Sequence, residues 1–394
     1  MRKITTLFTA ILISAAAFGQ SAPPPPEINA ASAILIESGT GAVLYEKNAD
    51  SLIPPASMTK LMTIHVALNS IKAGVVTAAS LVPVSEAADF RSLPPRSSLM
   101  FLEKGQKVSL TELLKGLALP SGNDAGIAVA EFIAGSVSEY VALMNLEAER
   151  LGLVNTHFDD ASGLSEKNMT TAREFASFCA FYLNKHPEAS TELHMLTTFT
   201  YPEDHNLPEG GVSVHGPIKQ PNHNLLIGRM KNVDGLKTGY IDESGFNLAA
   251  SAEFEGRRFI LVTMGGPGRS SRDGSIRRAI DGAALFNYGF YGWTTFTPEV
   301  PENQQLRIWG GEKNMLNLRY SPANTLTVPA PDTGFLELTS EYIDIDYPVK
   351  KDSIVGSWKL ADRNGSILQS GTINAAEDVQ EGNIFKRIID RIRQ

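Results

Sequence analysis

The stretch PASMTKLM, Pro55 to Met62, places a serine and a lysine three residues apart inside an otherwise apolar helical pattern. Residues at i and i+3 share one helix face, so the Ser57 hydroxyl and the Lys60 ammonium can come within hydrogen-bond reach. A serine needs an adjacent base to act as a nucleophile, and a lysine can serve once burial lowers its pKa. Taken by itself, however, the motif favours a helix cap at Ser57 and a lysine that extends to solvent.

Two further short motifs change this interpretation. Ser121–Asn123 lies in PSGNDAG, a polar turn between two helical runs, and Lys237–Gly239 lies in DGLKTGY, at the end of a predicted strand. Each triplet alone is typical of an ordinary turn or of a charged edge strand. All three motifs in this order, with the first and last far apart in sequence, form a much more specific combination than any one of them.

With these motifs the chain resembles the low-molecular-weight penicillin-binding proteins of the serine D-alanyl-D-alanine carboxypeptidase type. The resemblance runs from about Ala31 to the C-terminus and includes GAVLYEKNAD, PASMTKLMT, SSLMFL, PSGNDA, NVDGLKTGY and EGNIFKRIIDRI. It implies an α+β fold, in which a transpeptidase/β-lactamase-like domain with helices on an antiparallel sheet precedes a small all-β domain and a C-terminal amphipathic helix. It also implies removal of the terminal D-alanine from peptidoglycan stem peptides without a metal or cofactor, and acylation by penicillins and related β-lactam antibiotics.

The resemblance assigns a role to each polar residue of the first two motifs. Ser57 would attack the carbonyl between the two D-alanines and form an acyl-enzyme. Lys60 would accept the serine proton, and Ser121 would relay a proton to the leaving amine. Asn123 would orient the substrate amide.

The third motif would bind the substrate. Lys237 would supply positive potential that helps to keep the base neutral, and Thr238 would bind the terminal carboxylate. The backbone N–H of Tyr240 would share the oxyanion hole with that of the nucleophile. The strand edge around Gly239 can pair with an extended peptide. Arg272, which follows GGPGRSS, matches a family arginine near the substrate carboxylate, although its neighbour Arg269 leaves a surface ion pair as the alternative.

Two positions depart from related patterns. Gly122 stands where β-lactamases usually have Asp, and glycine is what the carboxypeptidases show. Tyr240 stands where well-known carboxypeptidases often have His. Because the oxyanion role belongs to the backbone, a tyrosine can fill it, whereas any side-chain role of this position in deacylation stays open.

Hydropathy and turn patterns predict the domain organisation. A mainly helical block, from about Leu110 to Leu183, is flanked in sequence by strands, which predicts one sheet built from both ends of a catalytic domain at 28–292. Short strands separated by turn residues predict a β-rich domain at 295–378. The segment 382–394 places its apolar residues on one helix face and basic residues over the rest, which favours binding to an anionic membrane surface over docking on the β-rich domain.

The N-terminus has the pattern of a signal peptide. Arg2 and Lys3 precede an uncharged, mostly apolar run, and a small-residue site predicts cleavage after Gly19. The predicted signal peptide is therefore 1–19, and the mature protein is expected in the periplasm, peripheral on the outer face of the inner membrane.

Composition excludes several other classes. The 394 residues carry a formal net charge of -8 without a basic stripe, which argues against nucleic acid as a partner. Cys179 lies in an apolar run and is expected to be a buried hydrophobe. His205, His215 and His223 lie close in sequence but lack the spacing of a zinc site.

Three alternatives to the carboxypeptidase remain open at the level of sequence. A D,D-endopeptidase would share the active site and differ in what the cleft admits. A β-lactamase would need a placed glutamate for fast deacylation, and the sequence identifies none. A non-catalytic peptidoglycan-binding scaffold would not need three intact motifs.

Overall fold

The computed structural model describes residues 11–12, 24–208, 210–345 and 347–393. The chain divides into two compact units, one formed by Pro25–Phe290 and the other containing the chain from Tyr291 onward. The predicted signal peptide, 1–19, lies outside the described residues apart from the pair Ile11–Leu12. All three motifs belong to the first unit.

Helices and strands are intermixed in the first unit, and strands predominate in the second. The strands are β1 (Ile11–Leu12), β2 (Ser32–Glu37), β3 (Ala42–Lys47), β4 (Leu81–Pro83), β5 (Lys107–Ser109), β6 (Thr198–Tyr201), β7 (Ile218–Pro221), β8 (Val233–Ile241), β9 (Gly245–Phe254), β10 (Arg257–Gly266), β11 (Trp293–Phe296), β12 (Gln305–Arg307), β13 (Met315–Tyr320), β14 (Leu326–Pro329), β15 (Glu337–Tyr342), β16 (Ile354–Ala361) and β17 (Ile367–Ala375). The α-helices are α1 (Lys60–Lys72), α2 (Leu110–Ala118), α3 (Asn123–Ala134), α4 (Val137–Arg150), α5 (Ala172–Lys185), α6 (Ser271–Gly292) and α7 (Ile384–Arg393). Single turns of 3-10 helix span Ala56–Thr59, Phe90–Ser92, Asp204–Asn206 and Ala330–Phe335, and a π-helical turn spans Ser190–His194.

The first unit contains a five-stranded antiparallel sheet in the order β3-β2-β10-β9-β8. Two of its strands precede the helical block and three follow it, so both ends of the unit supply the sheet. This arrangement confirms the predicted α+β fold. It also leaves β8, which carries the third motif, as an outer strand of the sheet.

The central strands are buried on both faces because helices cover each side. Ile260 and Val262 of β10 join the core formed with α1 to α5. On the other face α6 approaches closely at Gly289, where a Cβ would lie 3.0 Å from Leu35 and 3.1 Å from Phe259. This two-sided burial explains why β10 reads as a continuous apolar run and not as an alternating one.

The helical block surrounds α1. Leu61, Met62 and Ile64 of this helix are fully buried, and α2, α3 and α4 all pack against it. A capping box between Ser109 and Glu112 fixes the start of α2. The 3-10 turn Ala56–Thr59 directly precedes α1 and is therefore anchored by a buried helix.

The second unit is built around a sheet in the order β1-β15-β16-β17-β13-β12, with Trp358 in its core. It is followed by α7. In the described ranges no single helix combines the length and hydropathy of a membrane span; α3 and α4 reach that composition only as a pair, bent by 85°.

Candidate active site

Ser57 lies in the 3-10 turn immediately before α1. Its hydroxyl accepts a hydrogen bond from Lys60 Nζ at 3.0 Å and caps no helix. Lys60 is fully buried and does not reach solvent. The helix-cap interpretation that the motif favours by itself is therefore wrong, and the structure pairs the two side chains.

The 3-10 turn that carries Ser57 is packed tightly from two sides. Ala56 adopts a left-handed φ of 50°, which is strained for an alanine. A Cβ on Gly163 would lie 1.9 Å from the Ala56 carbonyl oxygen, and a Cβ on Gly239 would lie 2.5 Å from that of Pro55. Only glycine allows both segments to approach this closely, so both help to hold Ser57 in place.

The Lys60 ammonium donates three hydrogen bonds. Beside the bond to Ser57, it donates to Asn123 Oδ1 at 2.7 Å and to the Ser162 carbonyl at 2.5 Å. Burial lowers the pKa of Lys60 to about 7, while the nearby carboxylates of Asp160 and Asp124 act in the opposite direction. Near neutral pH a large fraction of Lys60 is therefore uncharged and able to accept a proton.

The second motif lies at the start of α3. Ser121 has a left-handed φ of 65°, and its buried hydroxyl has no hydrogen-bond partner among the described residues. At Gly122 a Cβ would stand 2.6 Å from an Asp124 oxygen and 2.8 Å from the Met100 nitrogen. The glycine thus lets the turn close and presents Asn123 to Lys60.

The third motif lies on the outer strand β8. Lys237 is buried, and burial, followed by the charges of Lys60 and Arg278, lowers its pKa well below the usual value. Thr238 is also buried, whereas Tyr240 is 45% exposed. The Tyr240 hydroxyl donates to Asp242 at 2.6 Å, away from the pair of Ser57 and Lys60.

Arg272 and Arg278 differ sharply in their surroundings. Arg272 is exposed near the start of α6. Arg278, further along the same helix, is buried and donates to the carbonyls of Gly239 and His223, each at 3.3 Å. Burial also lowers the pKa of this guanidinium to about 10. The sequence prediction missed Arg278, and no local pattern could have identified it, because its contact with the K-T-G strand joins segments that are distant in sequence.

The other candidate residues have structural partners. His205 contacts Glu112 at 2.8 Å, and His215 packs edge-on against the ring of Phe101. His223 is the one that lies near the cations, and burial together with Lys237 lowers its pKa to about 4. Across the parts of the chain that the structure describes, no group of three His, Cys, Asp or Glu side chains could hold a metal ion. Cys179 is buried, and its burial raises the thiol pKa.

The assembled groups combine a hydroxyl, a buried amine with lowered pKa, a second hydroxyl and a cationic strand edge. Such a set can activate a serine toward a carbonyl and bind an anionic group beside it. Lys237 and Arg278 lie close enough to interact electrostatically, so two basic groups meet at this strand.

Comparison with known proteins agrees with this chemistry. A family model described as D-alanyl-D-alanine carboxypeptidase matches residues 18–268. The D-alanyl-D-alanine carboxypeptidase DacC of Escherichia coli K12 is 33% identical over 373 residues, which cover 93% of this chain and 88% of that protein. The D-alanyl-D-alanine carboxypeptidase DacD of Francisella tularensis has a similar crystal structure, with a TM-score of 0.77, 25% identity and coverage of 93% and 97% of the two chains. Penicillin binding protein 5 of Haemophilus influenzae gives a TM-score of 0.70 at 30% identity and covers 91% of this chain and 100% of its own. The chain therefore belongs to the D-alanyl-D-alanine carboxypeptidase family.

Proposed function

We propose that the protein is a serine-type D-Ala-D-Ala carboxypeptidase that removes the terminal D-alanine of peptidoglycan stem peptides. The observation that carries this proposal is the hydrogen bond of 3.0 Å between Lys60 Nζ and Ser57 Oγ. It joins a nucleophile to a buried amine whose pKa is lowered to about 7. Membership of the family supplies the substrate class.

Acylation begins when Ser57 Oγ attacks the carbonyl carbon between the two D-alanines and Lys60 Nζ takes its proton. The backbone N–H groups of Ser57 and Tyr240 stabilise the oxyanion. The Ser121 hydroxyl relays a proton to the departing nitrogen, the C–N bond breaks, and free D-alanine leaves. Water then attacks the ester, with Lys60 again accepting a proton, and releases the shortened peptide.

The terminal carboxylate distinguishes a carboxypeptidase substrate from an internal peptide. We assign its binding to Thr238, supported by the charges of Lys237 and Arg278. Arg278 is included because it is buried beside the strand, whereas Arg272, the arginine expected from the sequence, is exposed. Asn123 holds the substrate amide, and the outer strand β8 pairs with the peptide backbone.

Penicillins acylate Ser57 by the same reaction. Ser57 opens the strained β-lactam amide, but the nitrogen stays attached to the acyl group and does not diffuse away as D-alanine does. The leaving group therefore obstructs the approach of water, and the acyl-enzyme persists. This behaviour would separate the protein from a β-lactamase.

The terminal helix supports a membrane-surface location. Asp390 holds α7 to its unit by accepting a hydrogen bond from the Gly310 N–H at 3.0 Å, and it pairs with Lys386 of the same helix at 2.7 Å. The apolar face nevertheless points outward, with Phe385 75% and Ile392 80% exposed. Together with the predicted signal peptide, this face favours a periplasmic enzyme resting on the outer leaflet of the inner membrane.

Product analysis tests the proposed reaction. A stem pentapeptide should yield tetrapeptide and D-alanine, while a cross-linked dimer should stay intact. Preferential cleavage of the dimer would identify a D,D-endopeptidase. Multiple turnovers of penicillin without a stable adduct would identify a β-lactamase, and no reaction with any of the three would indicate a scaffold.

A further inference from the structure

Asp160 organises a tight turn opposite the start of α1. Its carboxylate accepts hydrogen bonds from the backbone N–H of Ser162 at 2.6 Å, of Ser165 at 2.5 Å and of Gly163. It also accepts from the Ser162 hydroxyl at 3.2 Å. One side chain therefore satisfies three backbone donors within six residues and fixes the direction of the carbonyls between them.

The turn contacts both partners of the catalytic pair. The Ser162 carbonyl accepts the 2.5 Å hydrogen bond from Lys60 Nζ. The next residue, Gly163, has φ of +83°, and a Cβ there would stand 2.8 Å from the Ser57 nitrogen. Without the carboxylate that closes the turn, neither the carbonyl nor the glycine is held against its target.

The turn also places a negative charge near the base. The ionisable groups that interact with Lys60 are the carboxylates of Asp160 and Asp124, the amine of Lys237 and the imidazole of His223. Of the two carboxylates, Asp160 has the larger effect on the Lys60 ammonium. Asp124 is completely buried, and its carboxylate accepts hydrogen bonds from the backbone N–H groups of Met100, Phe101 and Leu102.

We propose that Asp160 is a positioning residue for the base: its carboxylate builds the turn that aims the Ser162 carbonyl at Lys60 Nζ and keeps a negative charge beside that amine. The inference rests on the proposed function of Ser57 and Lys60. It adds to that function a residue from outside the three motifs.

Asp160→Asn tests the charge of the side chain with little change in its size, because the amide is neutral and keeps one acceptor oxygen. Asp159→Asn is the matched control, since Asp159 is adjacent and exposed, and within the described residues its carboxylate accepts only from the Ser165 hydroxyl, at 2.6 Å. The second-order rate of acylation by benzylpenicillin is measured against pH for the wild type and both variants. Acylation of the wild type, but not of Ser57→Ala, establishes independently that the proposed function holds.

The acid limb of the Asp160→Asn profile should move down by about 1 pH unit, because loss of a nearby opposite charge lowers the pKa of an amine. The plateau should fall as well, and Asp159→Asn should superimpose on the wild type. A lowered plateau with an unmoved acid limb would overturn the electrostatic role, since a purely structural defect changes rate without changing pH dependence. Should the asparagine variant fail to fold, Asp160→Ser, whose hydroxyl keeps an acceptor, gives the same comparison.

Discussion

Gly239 of the K-T-G strand lies directly against Pro55, the residue that opens the nucleophile turn. A Cβ at position 239 would stand 2.5 Å from the Pro55 carbonyl oxygen, a backbone atom that cannot rotate away. The contact fixes the distance between β8 and the turn that carries Ser57, the proposed nucleophile. The glycine of the third motif is thus required by space at the active site.

Gly239→Ala should therefore slow acylation by penicillin about 100-fold, because a displacement of the order of 1 Å between reacting groups costs that much. Gly126→Ala is the control. It adds a Cβ in α3 near Ser162, where the closest contact would be an ordinary 3.5 Å. If both variants acylated at the wild-type rate, the close approach of β8 would have no catalytic role.

The pKa of Lys60 predicts the pH dependence of acylation. Burial lowers that pKa to about 7, so the fraction of neutral, proton-accepting lysine rises as the pH increases through this value. The acylation rate should accordingly rise from about pH 5 and level off above about pH 8. Lys60→Ala should lower the plateau rate of acylation about 1000-fold. A wild-type rate that is flat across this range would contradict the assignment of Lys60 as the base.

The two arginines of α6 should behave differently on substitution. Arg278→Gln should reduce kcat/KM for a peptide ending in D-Ala-D-Ala by about 30-fold, as expected for loss of a charged contact to carboxylate. Arg272→Gln should leave it unchanged because Arg272 is exposed. Amidation of the peptide's C-terminus should slow the wild type but add little to the Arg278→Gln defect. Equal losses in both arginine variants would remove Arg278 from the carboxylate site.

The outward face of α7 predicts membrane binding that is separable from catalysis. Replacing Phe385 and Ile388 with Asp should reduce the affinity for phosphatidylglycerol vesicles, measured by co-sedimentation, by more than about 100-fold, since each apolar side chain contributes about 1.5–3 kcal/mol on burial. The matched control is Ile354→Asp with Ile367→Asp, two exposed isoleucines of the β-rich unit. Peptide hydrolysis in solution should be the same in all three proteins. Unchanged sedimentation of the α7 variant would exclude the helix as the membrane contact.

The sequence was sufficient to predict the fold class and the three motifs because each depends on local patterns. The strands on either side of the helical block form one sheet, as their order predicts. The role of Ser57 was harder to predict from the local sequence, because it depends on whether Lys60 is buried beside it or reaches solvent. The burial of Lys60 depends on α3 and on the 160–165 turn. Those partners are distant in sequence, and no local period reveals them.

The same dependence on partners that are distant in sequence explains why Arg278 and Asp160 were not identified from the sequence. GGPGRSS draws attention to Arg272, yet the helix turns Arg278 toward the K-T-G strand. Asp160 belongs to none of the three motifs. Its proposed role depends on hydrogen bonds to the backbone of its own turn, and that turn contacts Ser57 and Lys60. Side chains that act through the backbone of another segment leave no spacing pattern in the sequence.

The central claim is that Ser57 is the nucleophile activated by Lys60. Its most direct test is mass spectrometry of the intact protein and its peptides after brief treatment with benzylpenicillin. We predict a single adduct with the mass of the intact antibiotic, located on Ser57, absent in Ser57→Ala and strongly reduced in Lys60→Ala. An adduct on any other residue, or one that persists in Ser57→Ala, would contradict the account.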